Sequence, residues 1–157
     1  MTNRVFSLVA AAAVSAVLFT TFAPAGAAAP ADQVKARQQL MKRMGSGMEA
    51  TGKFLKGEGA TADDVKRGAA AIAEVASHDP SAVFPQGTAA PLADSATRPE
   101  LWQEWPRAQQ IWSELKPATE RLNAAAATGD RQQIAQAQQA VGKVCSSCHE
   151  NFRIKKN

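Results

Sequence analysis

Cys145-Ser146-Ser147-Cys148-His149, close to the end of a 157-residue chain, is the stretch whose reading decides the rest. Its C-x-x-C-H spacing is the attachment signature of a c-type haem: each thiol can add across a haem vinyl group, and the histidine that follows can reach the iron. On a helix, positions 145, 148 and 149 are i, i+3 and i+4, so both sulfurs and the imidazole leave one face, which suits a flat macrocycle lying along it. Competing readings are a redox-active C-x-x-C pair, half of a zinc site, a structural disulfide and chance. Zinc needs further ligands, yet the chain has only these two cysteines and one other histidine, His78, which reads as a solvated helix-end residue. A thioredoxin-like motif should follow a strand in a βαβ unit, and no stretch alternates like one. Covalent haem c leads.

The N-terminus reads as a secretory signal peptide over residues 1–27. Arg4 is the only charged side chain before Asp32, an apolar run extends from Val5 to Phe22, and mostly small residues follow. Ala25-Gly26-Ala27 fits the A-x-A cleavage pattern, and an uncut signal anchor, with membrane association, is the alternative. Export to the periplasm agrees with haem, because c-type haem is attached outside the cytoplasm in bacteria. Two thiols in an oxidising compartment would otherwise form a disulfide, and thioether bonds remove them from that chemistry. Without Arg4 there are 17 basic against 14 acidic residues, about +3 net. The basic residues are spread, with a small group at Arg153, Lys155 and Lys156, and aromatics do not interleave with them as a nucleic-acid surface requires.

Residues 31–56 lack proline and carry an apolar stripe at Val34, Met41, Met44, Met48 and Leu55, which predicts one long helix ending at Gly57 to Gly59. Gly45, Gly47 and Gly52 lie inside it, each costing roughly 1 kcal/mol relative to alanine, so packing must hold that stretch helical. Thr61 is a predicted N-cap, Asp63 and Asp64 oppose the dipole, and Val65, Ala69, Ile72 and Val75 form the buried face of a second helix ending near residues 78–80. Residues 79–99 hold five prolines or glycine and no period, a long loop anchored by Val83-Phe84. The third helix carries Leu101, Trp105, Ala108, Trp112, Leu115, Leu122 and Ala126, with Pro106 and Pro117 predicting either a start at Pro106 or a kink at each. Gly129 stops it and Asp130 caps a fourth helix over residues 131–153, where Ile134, Val141, Cys145, Cys148 and Phe152 share a face. Four amphipathic helices without a strand signal describe an all-α, antiparallel four-helix bundle over residues 28–157. Haem set into it would supply much of the apolar core, so the haem-free chain is expected to be poorly ordered.

These residues resemble the class II c-type cytochromes, which comprise cytochrome c′ and its low-spin, methionine-ligated relatives. The resemblance is carried by Arg37-Gln38-Gln39-Leu40-Met41-Lys42, Lys56-Gly57-Glu58, Phe84-Pro85 with Gly87-Thr88, Pro99-Glu100-Leu101-Trp102, Ala125-Ala126 before Gly129-Asp130, and the haem motif with its continuation through Arg153. A C-terminal position for that motif is distinctive. The resemblance implies that Cys145 and Cys148 hold the thioethers of one haem c and that His149 is the proximal axial ligand. It further implies that Arg37 and Gln38 lie near the haem edge and propionates, that Arg153 lies near the proximal histidine, and that Met41 faces the distal side of the iron. Pro106 and Pro117 depart from the pattern.

Met41 separates two functions. A Met41 thioether on the iron gives a six-coordinate, low-spin site of raised potential, an electron carrier serving periplasmic redox partners. An iron that Met41 only covers is five-coordinate and high-spin and binds small gases such as nitric oxide or carbon monoxide. Methionines at helical spacing, as Met44 and Met48 continue the stripe, are commonly core filler. The Arg37 to Lys42 pattern and the ending from Cys148 to Arg153 look more like the methionine-ligated group, so electron transfer through a His/Met-ligated haem is the first expectation. A periplasmic thiol-disulfide oxidoreductase using Cys145 and Cys148 is a further alternative. No catalytic base, nucleophile or phosphate loop stands out, so the chain is not read as an enzyme, and the resemblance allows a homodimer through the first two helices.

Overall fold

The first helix, α1 (Pro30–Lys56), begins with proline at its first position, where a missing N–H costs nothing, and ends at Gly57, whose φ of 76° only glycine adopts freely. The computed structural model describes residues 28–155; the expected signal peptide lies outside the described residues. The predicted boundaries hold, but the buried stripe differs. Val34, Arg37, Met44, Gly47 and Thr51 are buried, while Met41, Met48 and Leu55 are half-buried. Three of the five buried positions are thus not apolar side chains of any size, and each has its own physical reason. Arg37 binds the long loop, as described below. The Thr51 hydroxyl donates to the Gly47 carbonyl at 2.9 Å, which satisfies it without a partner helix. Gly47 is where α1 and α2 (Ala62–Ala76) meet backbone to backbone: a Cβ there would sit 2.6 Å from the Gly68 carbonyl oxygen and 2.9 Å from Ile72 Cγ1.

A capping box opens α2: the Asp64 N–H donates to Thr61 Oγ1 at 3.2 Å, and the Thr61 N–H donates to Asp64 Oδ2 at 2.7 Å. Val65, Ala69, Ile72 and Val75 are fully buried, as the stripe predicts. Trp112 Nε1 donates to the carbonyl of His78, and the His78 residue itself is exposed at the end of α2.

The long loop contains two short helical segments, α3 (Pro80–Val83), capped by Asp79, and a 3-10 turn (Leu92–Asp94). Val83 is buried and Phe84 packs edge-on to Trp112 with ring centroids 5.8 Å apart, the anchor expected of that pair. The third predicted helix is broken. A short α4 (Glu100–Gln103) ends at Glu104, whose φ of −105° and ψ of 36° leave the helical region, and α5 (Trp105–Thr128) restarts with Pro106 at its second position. Pro117, by contrast, stays inside α5, which continues through it to Gly129. The last helix, α6 (Arg131–Phe152), is capped by Asp130, which accepts from the N–H groups of Gln132 and Gln133 at 2.8 and 3.0 Å.

Helix α1 packs on α2 and α6, α2 on α5, and α5 on α6, which closes a ring of four long helices. Short junctions at residues 57–61 and 129–130 join α1 to α2 and α5 to α6, and the long loop crosses between α2 and α5. Among the described residues the β structure is an isolated antiparallel bridge between Thr97 and Arg153, and no helix is long and apolar enough to cross a membrane.

The glycines of α1 separate propensity from packing. A Cβ at Gly45 meets nothing within 4 Å, so Gly45→Ala should raise stability by about 1 kcal/mol through helix propensity alone. Gly47→Ala forces the backbones of α1 and α2 apart and should lower it by about 1–3 kcal/mol, as overpacking does. Thermal or denaturant unfolding of the haem-loaded protein measures both. Equal effects at the two positions would contradict the close crossing.

Candidate haem-attachment site

Because α6 starts at a firm Asp130 cap and has no interior proline, its register is fixed over the whole motif. Ile134, Ala137, Val141 and Val144 bury the core face, and Cys145 and Cys148 follow on its edge, half-buried and packed against the apolar cluster. Phe152, one turn beyond Cys148, is buried and closes the stripe. His149 lies at the rim, partly open to solvent. The two cysteines are not joined to each other in a disulfide.

The electrostatics of these groups discriminate among the chemistries open to a C-x-x-C-H segment. Burial pushes both thiols up, Cys148 to about 11, where the neighbouring Cys145 adds to the effect. A thiol-disulfide oxidoreductase needs the opposite, a thiol held near or below neutral pH by positive surroundings. Partial burial, and then the nearby Arg153, hold the His149 imidazole below its usual pKa, which favours the neutral form that ligates a metal. Among the described residues no group of three or more His, Cys, Asp or Glu side chains converges, so Cys145, Cys148 and His149 do not form part of the tetrahedral donor set that structural zinc requires. Two sulfurs turned toward an apolar core, with one imidazole a single residue further on, fit a covalently held macrocycle and its iron. A cavity of about 450 Å³, lined by Gln139, Gly142, Lys143, Ser146, Ser147 and Glu150, lies on the outer face of α6, turned away from the thiols.

On the neighbouring helix, Met41 is half-buried and packs against the same apolar cluster as the two cysteines. Arg37 and Gln38 have their polar ends on the long loop. Arg37 Nη1 donates to Thr88 Oγ1 at 2.7 Å and to the Val83 carbonyl at 3.5 Å, and Nη2 donates to the Thr88 carbonyl at 2.8 Å and to Ser95 Oγ at 3.0 Å. Its guanidinium also lies 5.3 Å from the centre of the Phe84 ring. Gln38 Nε2 donates to the carbonyls of Ala93 and Asp94, each at 3.4 Å, where the backbone takes positive φ values of 47° and 59°. Thr88 and Ser95 carried no sign of this in the sequence beyond the Gly87-Thr88 pair. At the other end of the site, Arg107 Nη2 donates to Asn151 Oδ1 at 2.8 Å, and Asn151 Nδ2 donates to the Ser147 carbonyl at 2.6 Å, tying the last turn of α6 to α5.

The cytochrome c′ family profile matches residues 32–153, from the first turn of α1 to the residue after α6. The chain belongs to the cytochrome c′ family. It is 32% identical to cytochrome c′ of Rhodospirillum rubrum over 142 residues, 90% of this chain and 94% of that one. Cytochrome c-556 of Agrobacterium tumefaciens is 30% identical over 127 residues, 80% of this chain and all of that one. Among solved structures, a cytochrome c′ with ligand-controlled dimer dissociation superposes with a TM-score of 0.77 at 30% identity, covering 83% of this chain and 100% of that one. A carbon monoxide-bound variant of cytochrome c′ from Alcaligenes xylosoxidans superposes with a TM-score of 0.70 at 29% identity, covering 82% and 98%. As in the family, the cofactor is a covalently attached haem c, and Cys145 and Cys148 are the cysteines available to carry it.

Replacing both cysteines, Cys145→Ser with Cys148→Ser, should give a polypeptide from which acid-acetone strips all porphyrin, whereas the unmutated protein keeps its colour. Colour that survives extraction in the double variant would contradict attachment at these positions.

Proposed function

We propose that this is a periplasmic haem c protein in which His149 is the proximal ligand and Met41 covers the opposite side of the iron without binding it. The sixth position is then open to small gases such as nitric oxide or carbon monoxide. The observation that carries this reading is the chain-long likeness to cytochromes c′, one of them bound to carbon monoxide. The packing of Met41 agrees with it: the side chain is engaged with the apolar cluster, one turn from the fully packed Met44, as a core methionine would be. Haem supplies the iron; the chain supplies a neutral imidazole on one side and an apolar, flexible thioether on the other. A flexible cover of that kind can move aside for a diatomic molecule.

The second reading, a carrier of single electrons with Met41 as the sixth ligand, is favoured by the Arg37 to Lys42 stretch and by the likeness to cytochrome c-556. Export by residues 1–27 supports the periplasmic placement, and the likeness to a cytochrome c′ that forms a ligand-controlled dimer supports pairing of two copies.

Absorption spectra separate the two readings. The oxidised protein at neutral pH is expected to be high-spin, without the weak far-red sulfur-to-iron band. Met41→Ala should leave it high-spin and raise the carbon monoxide association rate of the ferrous protein several-fold. A far-red band that Met41→Ala abolishes would instead assign the protein to electron transfer.

A further inference from the structure

Arg37 is 4% exposed, and its guanidinium lies against residues 83–95 of the long loop. Burial pulls its pKa below the usual arginine value, and the loop oxygens of Val83, Thr88 and Ser95 together with the face of Phe84 offset part of that desolvation. What the guanidinium adds is geometry: a rigid planar fork that fixes acceptors from three separate points of the loop, at residues 83, 88 and 95.

Those contacts continue to α6. Ser95 Oγ donates to the Thr88 carbonyl at 2.9 Å and accepts from the Thr97 N–H at 3.2 Å, and Thr88 Oγ1 donates to the Pro85 carbonyl at 2.6 Å. Thr97 bridges to Arg153, flanked by bonds from the Arg98 N–H to the Phe152 carbonyl at 2.9 Å and from the Ile154 N–H to the Ala96 carbonyl at 2.8 Å. The Arg153 N–H in turn donates to the carbonyl of His149 at 3.1 Å. At the opposite end, Arg37 and Met41 are i and i+4, neighbours on one side of α1. The loop is therefore tied at one end one turn before Met41 and at the other one turn after His149.

We infer that Arg37 is a positioning residue for the iron site: its clamp on Thr88 and Ser95 makes residues 83–98 a strap that sets the helix of Met41 against the helix of His149. This rests on the assignment of those two residues to opposite sides of the iron. The two helices also touch directly, and Gln138 and Arg131 of α6 donate to the Met48 and Leu55 carbonyls further along α1, but among the described residues it is the strap that links the turn before Met41 to the turn after His149 through a continuous series of hydrogen bonds. Loosening it frees Met41 to move relative to His149, and the reach of a ligand to the iron changes with it.

The test uses the haem-loaded protein with Arg37→Gln, Thr88→Val and Thr88→Ser, and Val65→Ala as a destabilised control in α2, outside the strap. Each is followed by thermal unfolding, by amide hydrogen exchange at Arg98 and Ile154, and by carbon monoxide rebinding to the ferrous protein after photolysis. Arg37→Gln and Thr88→Val should speed exchange at both amides and shift the rebinding rate at least fivefold. Thr88→Ser, which keeps the hydroxyl, should restore the parent rate, and Val65→Ala should lower the melting temperature without shifting rebinding. Clamp variants that shift rebinding no more than Val65→Ala, or a Thr88→Ser that behaves as Thr88→Val does, would overturn the inference. An unmutated protein that binds no carbon monoxide would count against the open sixth position and not against the strap. In that case the far-red sulfur-to-iron band is the measure: its weakening in Thr88→Val with retention in Thr88→Ser supports the strap, and an unchanged band in both refutes it.

Discussion

The inner face of α6 has to pack the bundle and present two thiols within a span of four residues. Ile134, Val141 and Phe152 place that face against the core, and the register that buries them brings Cys145 and Cys148 to its edge, half-covered. A slip of one residue would turn both sulfurs toward solvent and carry His149 around the helix. The Asp130 cap and the Gly129 stop hold the register at one end; the Thr97–Arg153 bridge holds it at the other. The site is built from ordinary core packing, with the chemistry placed where the packing leaves off.

Much of this was legible in the sequence because it rests on local signals. Gly57, Thr61, Gly129 and Asp130 mark helix ends through backbone conformation and capping, which depend on few neighbours, and the boundaries predicted from them agree with the structure to within a residue or so. The attachment motif was legible for the same reason: three residues at helical spacing need no tertiary partner to be recognised. The break at Glu104 was half-legible, since Pro106 allows a helix start but does not choose between a start and a kink.

What the sequence concealed depends on distant partners. An apolar stripe reading leaves Arg37 on the surface, yet it is buried because loop oxygens 46 to 58 residues away converge on it. Gly47 reads as a weak point in a helix, yet its lack of a side chain is what lets α2 approach. Thr88 and Ser95 are inconspicuous in a segment without periodicity, and their value comes from donating and accepting at once. Loops hide their function in this way: their bonds answer to the tertiary fold and leave no period behind. The same limit applies to Met41, whose spacing suits a core methionine and an iron cover equally.

Intact mass spectrometry of the mature, natively expressed polypeptide under denaturing conditions tests the central claim most directly. A mass equal to the processed chain plus one haem, retained when Arg37, Met41 or the control positions are changed, is the predicted result. A bare polypeptide mass, with both thiols free or joined to each other, would contradict it.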